Sequence, residues 1–319
     1  MSLHPAFQEY LDWLNPLVEE AARNGTQATP ESARAALASL NQYALPSEPV
    51  QEILDTSVRT ERSTTPVRVY VPRPEEPSDI VLFVHGGGHV AGDLDVYDHQ
   101  ARRTAVASGM VVVSVDYRRA PEAPFPTGLE DVIDVLTHVD EATLGVATTG
   151  RVHAVADSGG GAMVASIAQR AAAGTLESPV ERQVLLYPSL DYTMSGESIR
   201  EFGSGYFLSA ERVAWYFEQY FPAGSDRAAA SPMLGPFSSR MPKTLVIAAE
   251  YDPLLSEART YVERVRAADA AADLLVAPGM IHAFAFFEAM IPDVSDQLYR
   301  IVGDFLARGS VPTTWPETQ

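Results

Sequence analysis

The pattern of hydrophobic and polar positions divides the chain into a helical start and a longer region in which strands and helices alternate. Residues 4 to about 42 have helical spacing of apolar side chains, beginning with Phe7 and Leu11. A second helix is expected to begin near Pro30, because proline is favoured in the first turn of a helix. Residues 51–72 contain two short runs with the period-two alternation of strands.

From Asp79 onward, short apolar runs are separated by segments of helical length. The apolar runs are residues 80–84, 110–115, 152–156, 184–187, 245–249 and 274–276. Such runs, alternating with helices, predict an α/β fold with a mainly parallel central sheet covered by helices on both faces. Ligands of such sheets bind beyond the carboxyl ends of the strands, so candidate functional residues are expected there.

Residues 191–240 interrupt this rhythm, because they contain no core strand but many aromatic side chains. A long insertion in a compact domain is usually a lid or a binding element. We therefore expect Phe202, Tyr206, Phe207 and Trp215 to line a substrate pocket, with core packing as the alternative for each of them.

Composition excludes several classes of function. The chain has 319 residues and no cysteine, which excludes disulfides, thiolate catalysis and cysteine-ligated zinc. A formal net charge of −19 argues against binding to nucleic acid. The start of the chain has no secretory signal, and no apolar run approaches the roughly 18 residues of a spanning helix, so we expect a cytoplasmic protein without a membrane partner.

The first candidate motif is Ala156-Asp157-Ser158-Gly159-Gly160, which follows an apolar run and opens a helical segment. This is the setting of the nucleophile elbow, G-x-S-x-G, in which a sharp turn presents a serine and requires small neighbours. Ala156 replaces the first glycine, and alanine is the smallest alternative. A glycine-rich turn with a capping serine and a phosphate-binding loop are the other interpretations, but the G-K-[ST] ending of a phosphate loop is missing.

The second motif, His85-Gly86-Gly87-Gly88, follows the apolar run of residues 80–84. Three glycines let the backbone approach a substrate closely, and preorganised N–H groups stabilise an oxyanion. We assign the donors to Gly86, Gly87 and Gly159. His85 and His89 are four residues apart, but the glycines between them disfavour a helix, so no metal site is predicted. His89 is expected to support this loop or to contact substrate.

A serine hydroxyl needs a base, and the base needs a carboxylate that fixes its tautomer. Of the seven histidines, only His282 follows the last apolar run, from which a loop can reach Ser158. Asp252 directly follows the run of residues 245–249, and Pro253 ends that strand. Glu250 is the rival carboxylate. The order Ser158, Asp252, His282 is the order typical of α/β-hydrolases.

Further motifs extend this pattern along the chain. They are His85-Gly86-Gly87-Gly88 with Gly92-Asp93, Tyr117-Arg118-Arg119-Ala120-Pro121-Glu122 with Phe125-Pro126, Asp157-Ser158-Gly159-Gly160-Gly161, Tyr187-Pro188, Asp252-Pro253-Leu254 and Gly279-Met280-Ile281-His282. In this order, from about residue 80 to 285, they resemble the hormone-sensitive-lipase-like carboxylesterases of the α/β-hydrolase superfamily. Two departures from that family are Ala156 in the elbow and Ala283 after the histidine, where glycine is common.

The resemblance implies hydrolysis of short- to medium-chain carboxylic esters without a cofactor, and it hints at a homodimer. It also implies a helical cap made of residues 1–45 and 191–240, over a catalytic domain of residues 46–190 and 241–319. Two alternatives remain open: an amidase or peptidase that uses the same three side chains, and a ligand-binding protein that kept this fold without catalysis.

Overall fold

The strands of the computed structural model, which describes residues 2–46, 49–178 and 180–316, form one sheet. They are β1 (Glu52–Arg59), β2 (Thr64–Val71), β3 (Ser78–Val84), β4 (Val111–Val115), β5 (Thr148–Asp157), β6 (Val180–Leu186), β7 (Lys243–Tyr251) and β8 (Ala272–Ile281). Each apolar run that the sequence analysis picked out lies in or overlaps one of these strands.

The sheet has the strand order β1-β2-β4-β3-β5-β6-β7-β8. The pairs β1·β2 and β2·β4 are antiparallel, and the strands from β4 to β8 pair in parallel. Because β3, β5, β7 and β8 all run in the same direction, the loops that follow them meet at one edge of the sheet. The glycine motif, the nucleophile turn, Asp252 and His282 lie after these four strands.

Helices cover both faces of the sheet, as the alternating pattern predicts. The α-helices are α1 (Pro5–Arg23), α2 (Pro30–Ser39), α3 (Asp98–Ser108), α4 (Thr127–His138), α5 (Glu141–Leu144), α6 (Ser158–Ala172), α7 (Glu197–Glu201), α8 (Ala210–Tyr220), α9 (Arg227–Ala230), α10 (Leu255–Ala267) and α11 (Pro292–Arg308). Short 3₁₀ helices occupy Leu40–Tyr43, Pro232–Leu234, Phe284–Phe286 and Glu288–Met290.

Alternate residues of the central strands enter two separate cores. On β3, Leu82 points into the core formed with α4, α6 and α10, whereas Phe83 points into the core formed with α1, α3 and α11. This period of two is the geometry of a pleated strand buried on both faces. The α/β-hydrolase fold predicted from the sequence is therefore confirmed, with a largely parallel sheet between two helical layers.

Two segments lie outside these layers. The amino-terminal segment forms α1, α2 and the following 3₁₀ turn, and the predicted insertion, residues 191–240, forms α7, α8 and α9 without a strand. The division into a cap of residues 1–45 and 191–240 and a catalytic domain of 46–190 and 241–319 stays a prediction. It includes Met1, residues 47 and 48, Pro179 and residues 317–319, which lie outside the described residues.

Candidate active site

Ser158 occupies a sharp turn between β5 and α6. Its φ is +46°, a left-handed value that a non-glycine residue adopts only at an energetic cost. The turn brings the backbone of α6 so close to β3 that a Cβ on Gly160 would lie 2.1 Å from the carbonyl oxygen of Val84. Ala156, in place of the usual glycine, is fully buried in β5, so this strand accommodates the extra methyl group.

Three side chains from three loops form one hydrogen-bonded chain. Ser158 Oγ lies 3.1 Å from His282 Nε2, and His282 Nδ1 lies 2.8 Å from Asp252 Oδ2. Asp252 is 1% exposed and His282 is 5% exposed, so the carboxylate and imidazole interact with little competition from water. The structure therefore brings together all three residues predicted from their positions after β5, β7 and β8.

Local hydrogen bonds hold the carboxylate and the imidazole in place. The amide of Leu254 donates to Asp252 Oδ1 at 2.8 Å, so the second carboxylate oxygen is free to face His282. Glu250, the rival carboxylate, instead accepts the amide of Gly279 at 2.7 Å. Ala283 has a φ of +59°, which explains why glycine is common at this position in the family that the sequence resembles.

The glycine loop after β3 requires a correction to the predicted set of oxyanion donors. The amide of Gly86 donates to Asp157 Oδ1 at 2.5 Å, and Gly86 is not among the described residues that line the cavity at Ser158. Gly87, Gly88 and Gly159 do line that cavity. Within the described part of the chain, the amides of Gly87 and Gly88 have no protein acceptor. Gly86 is thus an anchor of the loop rather than a donor to substrate.

Asp157 is the group that holds this anchor. It is 1% exposed, and it also accepts the hydroxyl of Tyr97 at 3.2 Å. Burial raises the pKa of Asp157 to about 7, while the hydrogen bonds from Gly86 and Tyr97 oppose the rise. The carboxyl group therefore connects the nucleophile turn to the glycine loop, a contact that neither motif reveals by itself.

The two histidines of the glycine loop are buried braces. His85 stacks between Tyr97 and Tyr117, and its Nδ1 lies 2.9 Å from the carbonyl oxygen of Gly86. His89 stacks on Tyr220 at 3.8 Å, and its Nε2 lies 3.0 Å from the hydroxyl of Tyr192. Burial lowers the pKa of His85 to about 4 and that of His89 to about 3, so both are neutral near pH 7.

A cavity of about 350 Å³ opens onto this site. Its floor contains Ser158, Gly159 and His282 from the sheet edge. Its walls come from α1, α2, the 3₁₀ turn Leu40–Tyr43 and α8. The volume lies at the lower end of the roughly 300–1,000 Å³ typical of small-molecule sites.

Comparison with known proteins agrees with this geometry. A family model of the alpha/beta hydrolase fold, Abhydrolase_3, matches residues 81–286. An ethyl acetate hydrolase of Pseudomonas putida is 32% identical over 317 residues, which cover 95% of this chain and 98% of that protein. The chain belongs to the hormone-sensitive-lipase-like carboxylesterases of the α/β-hydrolase superfamily.

Other relatives of this carboxylesterase carry names of the same reaction class. A carboxylic ester hydrolase of Mycobacterium tuberculosis is 34% identical over 243 residues, covering 73% of this chain and 64% of that protein. A solved esterase of Pyrobaculum calidifontis has a TM-score of 0.85 at 30% identity, covering 97% of this chain and all of that one. The chain is therefore a serine hydrolase of carboxylic esters, as the sequence predicts.

The aromatic residues of this carboxylesterase divide differently from the prediction. Phe207 and His89 line the cavity, but Phe202, Tyr206 and Trp215 are absent from the described lining. Phe202 and Tyr206 pack instead against Tyr251, with ring centroids 5.6 and 5.4 Å from it. Phe202, Tyr206 and Trp215 were thus wrongly predicted to line the pocket. The aromatic content of an insertion does not reveal which of its faces is turned toward the cavity.

Sequence reasoning also missed much of the wall of the esterase cavity. The missed apolar lining residues are Tyr10, Trp13, Leu14, Leu37, Leu40, Tyr43, Leu208, Val213, Tyr216, Phe217 and Phe286. The helical spacing of α1 is the signal that could have suggested Tyr10 and Leu14, which lie four positions apart on one face.

Residues 2–46, 49–178 and 180–316 of this carboxylesterase contain neither a candidate metal site nor a candidate membrane-spanning helix. No cluster of three or more histidine, aspartate or glutamate side chains in these ranges could hold a metal ion. None of the helices in the same ranges has the length and apolar character to cross a bilayer.

Proposed function

We propose that Ser158, His282 and Asp252 are the catalytic triad of this carboxylesterase. Ser158 Oγ attacks the ester carbonyl while His282 Nε2 takes its proton, and Asp252 orients the ring and stabilises the imidazolium. His282 then gives the proton to the departing alcohol. Water attacks the acyl-enzyme by the same route and releases the acid and free Ser158. The unbroken chain of hydrogen bonds from Ser158 to Asp252 carries this proposal.

We infer that the oxyanion is held by the amides of Gly87, Gly88 and Gly159. Gly87 and Gly88 have φ of +92° and +61°, which turn successive peptide groups out of a regular conformation. Gly159 lies at the start of α6, where N–H groups favour negative charge. Removing one oxyanion donor costs on the order of 3 kcal/mol of transition-state stabilisation in comparable sites.

We propose short- to medium-chain acyl esters as substrates. The cavity is small, and aliphatic or aromatic side chains from α1, α2 and α8 form most of its wall. Apolar walls of this kind bind alkyl groups through burial of their surface. The cytoplasmic location and the homodimer stay predictions. Sedimentation of the purified protein would test the homodimer, which requires a species of twice the 34.5 kDa chain mass.

Assaying p-nitrophenyl esters from acetate upward, with the wild type beside Ser158→Ala, tests the proposed function. We expect turnover with an optimum at short to medium chains, and its loss in a folded Ser158→Ala protein. Retained turnover in this variant would overturn the assignment of the nucleophile. A parallel series of p-nitroanilides separates the alternatives: faster cleavage of anilides would favour an amidase, and no turnover of either series would favour a ligand-binding protein.

A further inference from the structure

Arg212 on α8 is a cation that lines the cavity shared with Ser158, and the hydrolytic steps make no use of it. In the described part of the chain, no lysine and no other arginine lines this cavity. The surrounding wall is mostly apolar, and the lining residues nearest to Arg212 in sequence are Leu208, Val213 and Tyr216. Arg212 is half-buried in this wall. A bound molecule that displaces water from the guanidinium must supply hydrogen-bond acceptors of its own, because an unpaired charge shielded from water is costly.

Among the described residues, no carboxylate forms an ion pair with Arg212. The positions three and four residues from Arg212 hold no carboxylate: they are Leu208 and Ser209 just before α8, and Trp215 and Tyr216 on it. Throughout residues 2–46, 49–178 and 180–316, the guanidinium forms no ion pair and no hydrogen bond. It lies over the ring of Trp215 at 5.6 Å, a contact that orients the group but leaves its N–H donors free.

The position of Arg212 along α8 also favours an anion beside it. It lies in the first turn of the helix, where Ser209 caps the amide of Arg212 itself. Backbone dipoles place partial positive charge at that end, so a cation there is disfavoured and an anion is favoured. The chain has 42 acidic residues to 23 basic ones, yet none of the described acidic side chains neutralises this site.

The other ionisable groups of the cavity cannot replace the missing anion. Asp157 is the one carboxylate among the described lining residues, and it is occupied by Gly86 and Tyr97. The guanidinium is therefore available to a carboxylate of a bound molecule. Its planar fork of donors matches a carboxylate in a bidentate arrangement.

We propose that Arg212 forms an anion-binding subsite that selects esters carrying a free carboxylate, such as monoesters of aliphatic dicarboxylic acids. This inference rests on the proposed function, because the ester bond must still reach Ser158. Hydrolysis of the monoester with one water yields the dicarboxylic acid and the alcohol. The charged end of the substrate stays at Arg212 while the ester end undergoes acyl transfer.

Two pairs of substrates test the proposal. The free carboxylate is on the acyl side of the ester bond in the first pair and on the alcohol side in the second. The first pair is monoethyl adipate and its neutral isostere, in which a primary amide replaces the free carboxylate. The second pair is the acetate ester of 4-hydroxybutyrate and the corresponding amide. The kcat/KM of each compound is measured by titrating released acid, with wild type, Arg212→Gln and Arg212→Lys. Arg200→Gln is the matched control, since Arg200 is exposed on α7 and absent from the cavity lining.

The quantity compared is the kcat/KM of the anionic ester divided by the kcat/KM of its neutral isostere. For at least one pair, we expect Arg212→Gln to lower this ratio by about tenfold to a hundredfold. Arg212→Lys should restore part of the ratio, because it keeps the charge but not the fork. Arg200→Gln, which changes the net charge equally, should leave the ratio unaltered.

An unchanged ratio in Arg212→Gln for both pairs would overturn the subsite, and so would an equal fall in Arg200→Gln. Neither result would touch the proposed function, because hydrolysis of the neutral isosteres reports on the triad alone. If instead Ser158→Ala kept turnover of the neutral esters, the proposed function would fail first.

Discussion

The floor and the walls of the active-site cavity are built in different ways. The floor consists of residues that directly follow strands, and the groups behind Ser158 are buried: His282 is 5% exposed, and Asp252, which lies behind it, is 1% exposed. The walls come from the consecutive helices α1 and α2 and from α8, which is far from them in sequence, and one of their residues, Trp13, is 58% exposed. The comparison suggests that short motifs in a rigid sheet define the reaction, whereas long-range helix packing defines which molecules enter.

The largest expected effect comes from the floor. Asp252→Asn should reduce kcat/KM by roughly 10⁴, because an amide can hold His282 in the wrong tautomer while the geometry is kept. Glu250→Gln is the matched control, since Glu250 accepts the amide of Gly279, whereas Asp252 is the carboxylate that faces His282 Nδ1. An equal loss in both variants, measured with a p-nitrophenyl ester, would mean that the carboxylate facing His282 has been misassigned.

The glycine loop should be the next most sensitive part. A Cβ on Gly87 would lie 2.2 Å from the carbonyl oxygen of Ala91, and its φ of +92° disfavours alanine. Gly87→Ala should displace the oxyanion donors and reduce kcat by about 10²–10³. Gly150 has a similar φ of +79°, but no other atom of the described residues lies near the position that a Cβ would take. Gly150→Ala should therefore reduce stability without a comparable loss of turnover. Similar kcat values for the two variants would contradict the role of the loop.

Asp157, at the floor of the cavity, should make the free energy of unfolding depend on pH. Because burial raises its folded pKa to about 7, above the ordinary value of 3.8, this group contributes stability that is present below pH 4 and is lost as the pH rises toward 7. Asp157→Asn keeps an acceptor for Gly86 but cannot ionise. The free energy of unfolding of the wild type, relative to that of the variant, should therefore fall between pH 4 and 7. A constant difference would contradict the raised pKa.

The walls should give the smallest effects. Phe207→Ala enlarges the cavity and should move the optimum of the p-nitrophenyl ester series to longer chains, changing relative kcat/KM values severalfold. Phe202 packs on Tyr251 outside the lining, so Phe202→Ala should leave the optimum where it is. If both variants shifted the optimum alike, the separation between wall residues and packing residues would be wrong.

The same division explains what the sequence could predict. Ser158, Asp252 and His282 could be located because each follows a strand of a parallel sheet, and such strands end at a common edge. Fold class and reaction class followed from those positions and from the motifs around them. These inferences require only local pattern and chain order.

The errors concern contacts between distant segments. Gly86 could not be distinguished from Gly88 as a donor, because the amide of Gly86 is taken by Asp157, 71 positions away. Phe202 and Tyr206 could not be excluded from the cavity, since the direction in which the segment after α7 faces depends on its packing against Tyr251. The contribution of α1 to the wall was missed for the same reason.

Labelling with a reactive phosphonate tests the central claim most directly. Such a reagent phosphonylates an activated serine, and mass spectrometry of the digested protein locates the adduct. The account predicts one adduct per chain, on the peptide that contains Ser158, formed in step with loss of esterase activity. The rate of labelling should fall sharply in His282→Ala, which keeps Ser158 but removes its base. Loss of activity with the adduct on another residue, or equal labelling of the two proteins, would contradict the account.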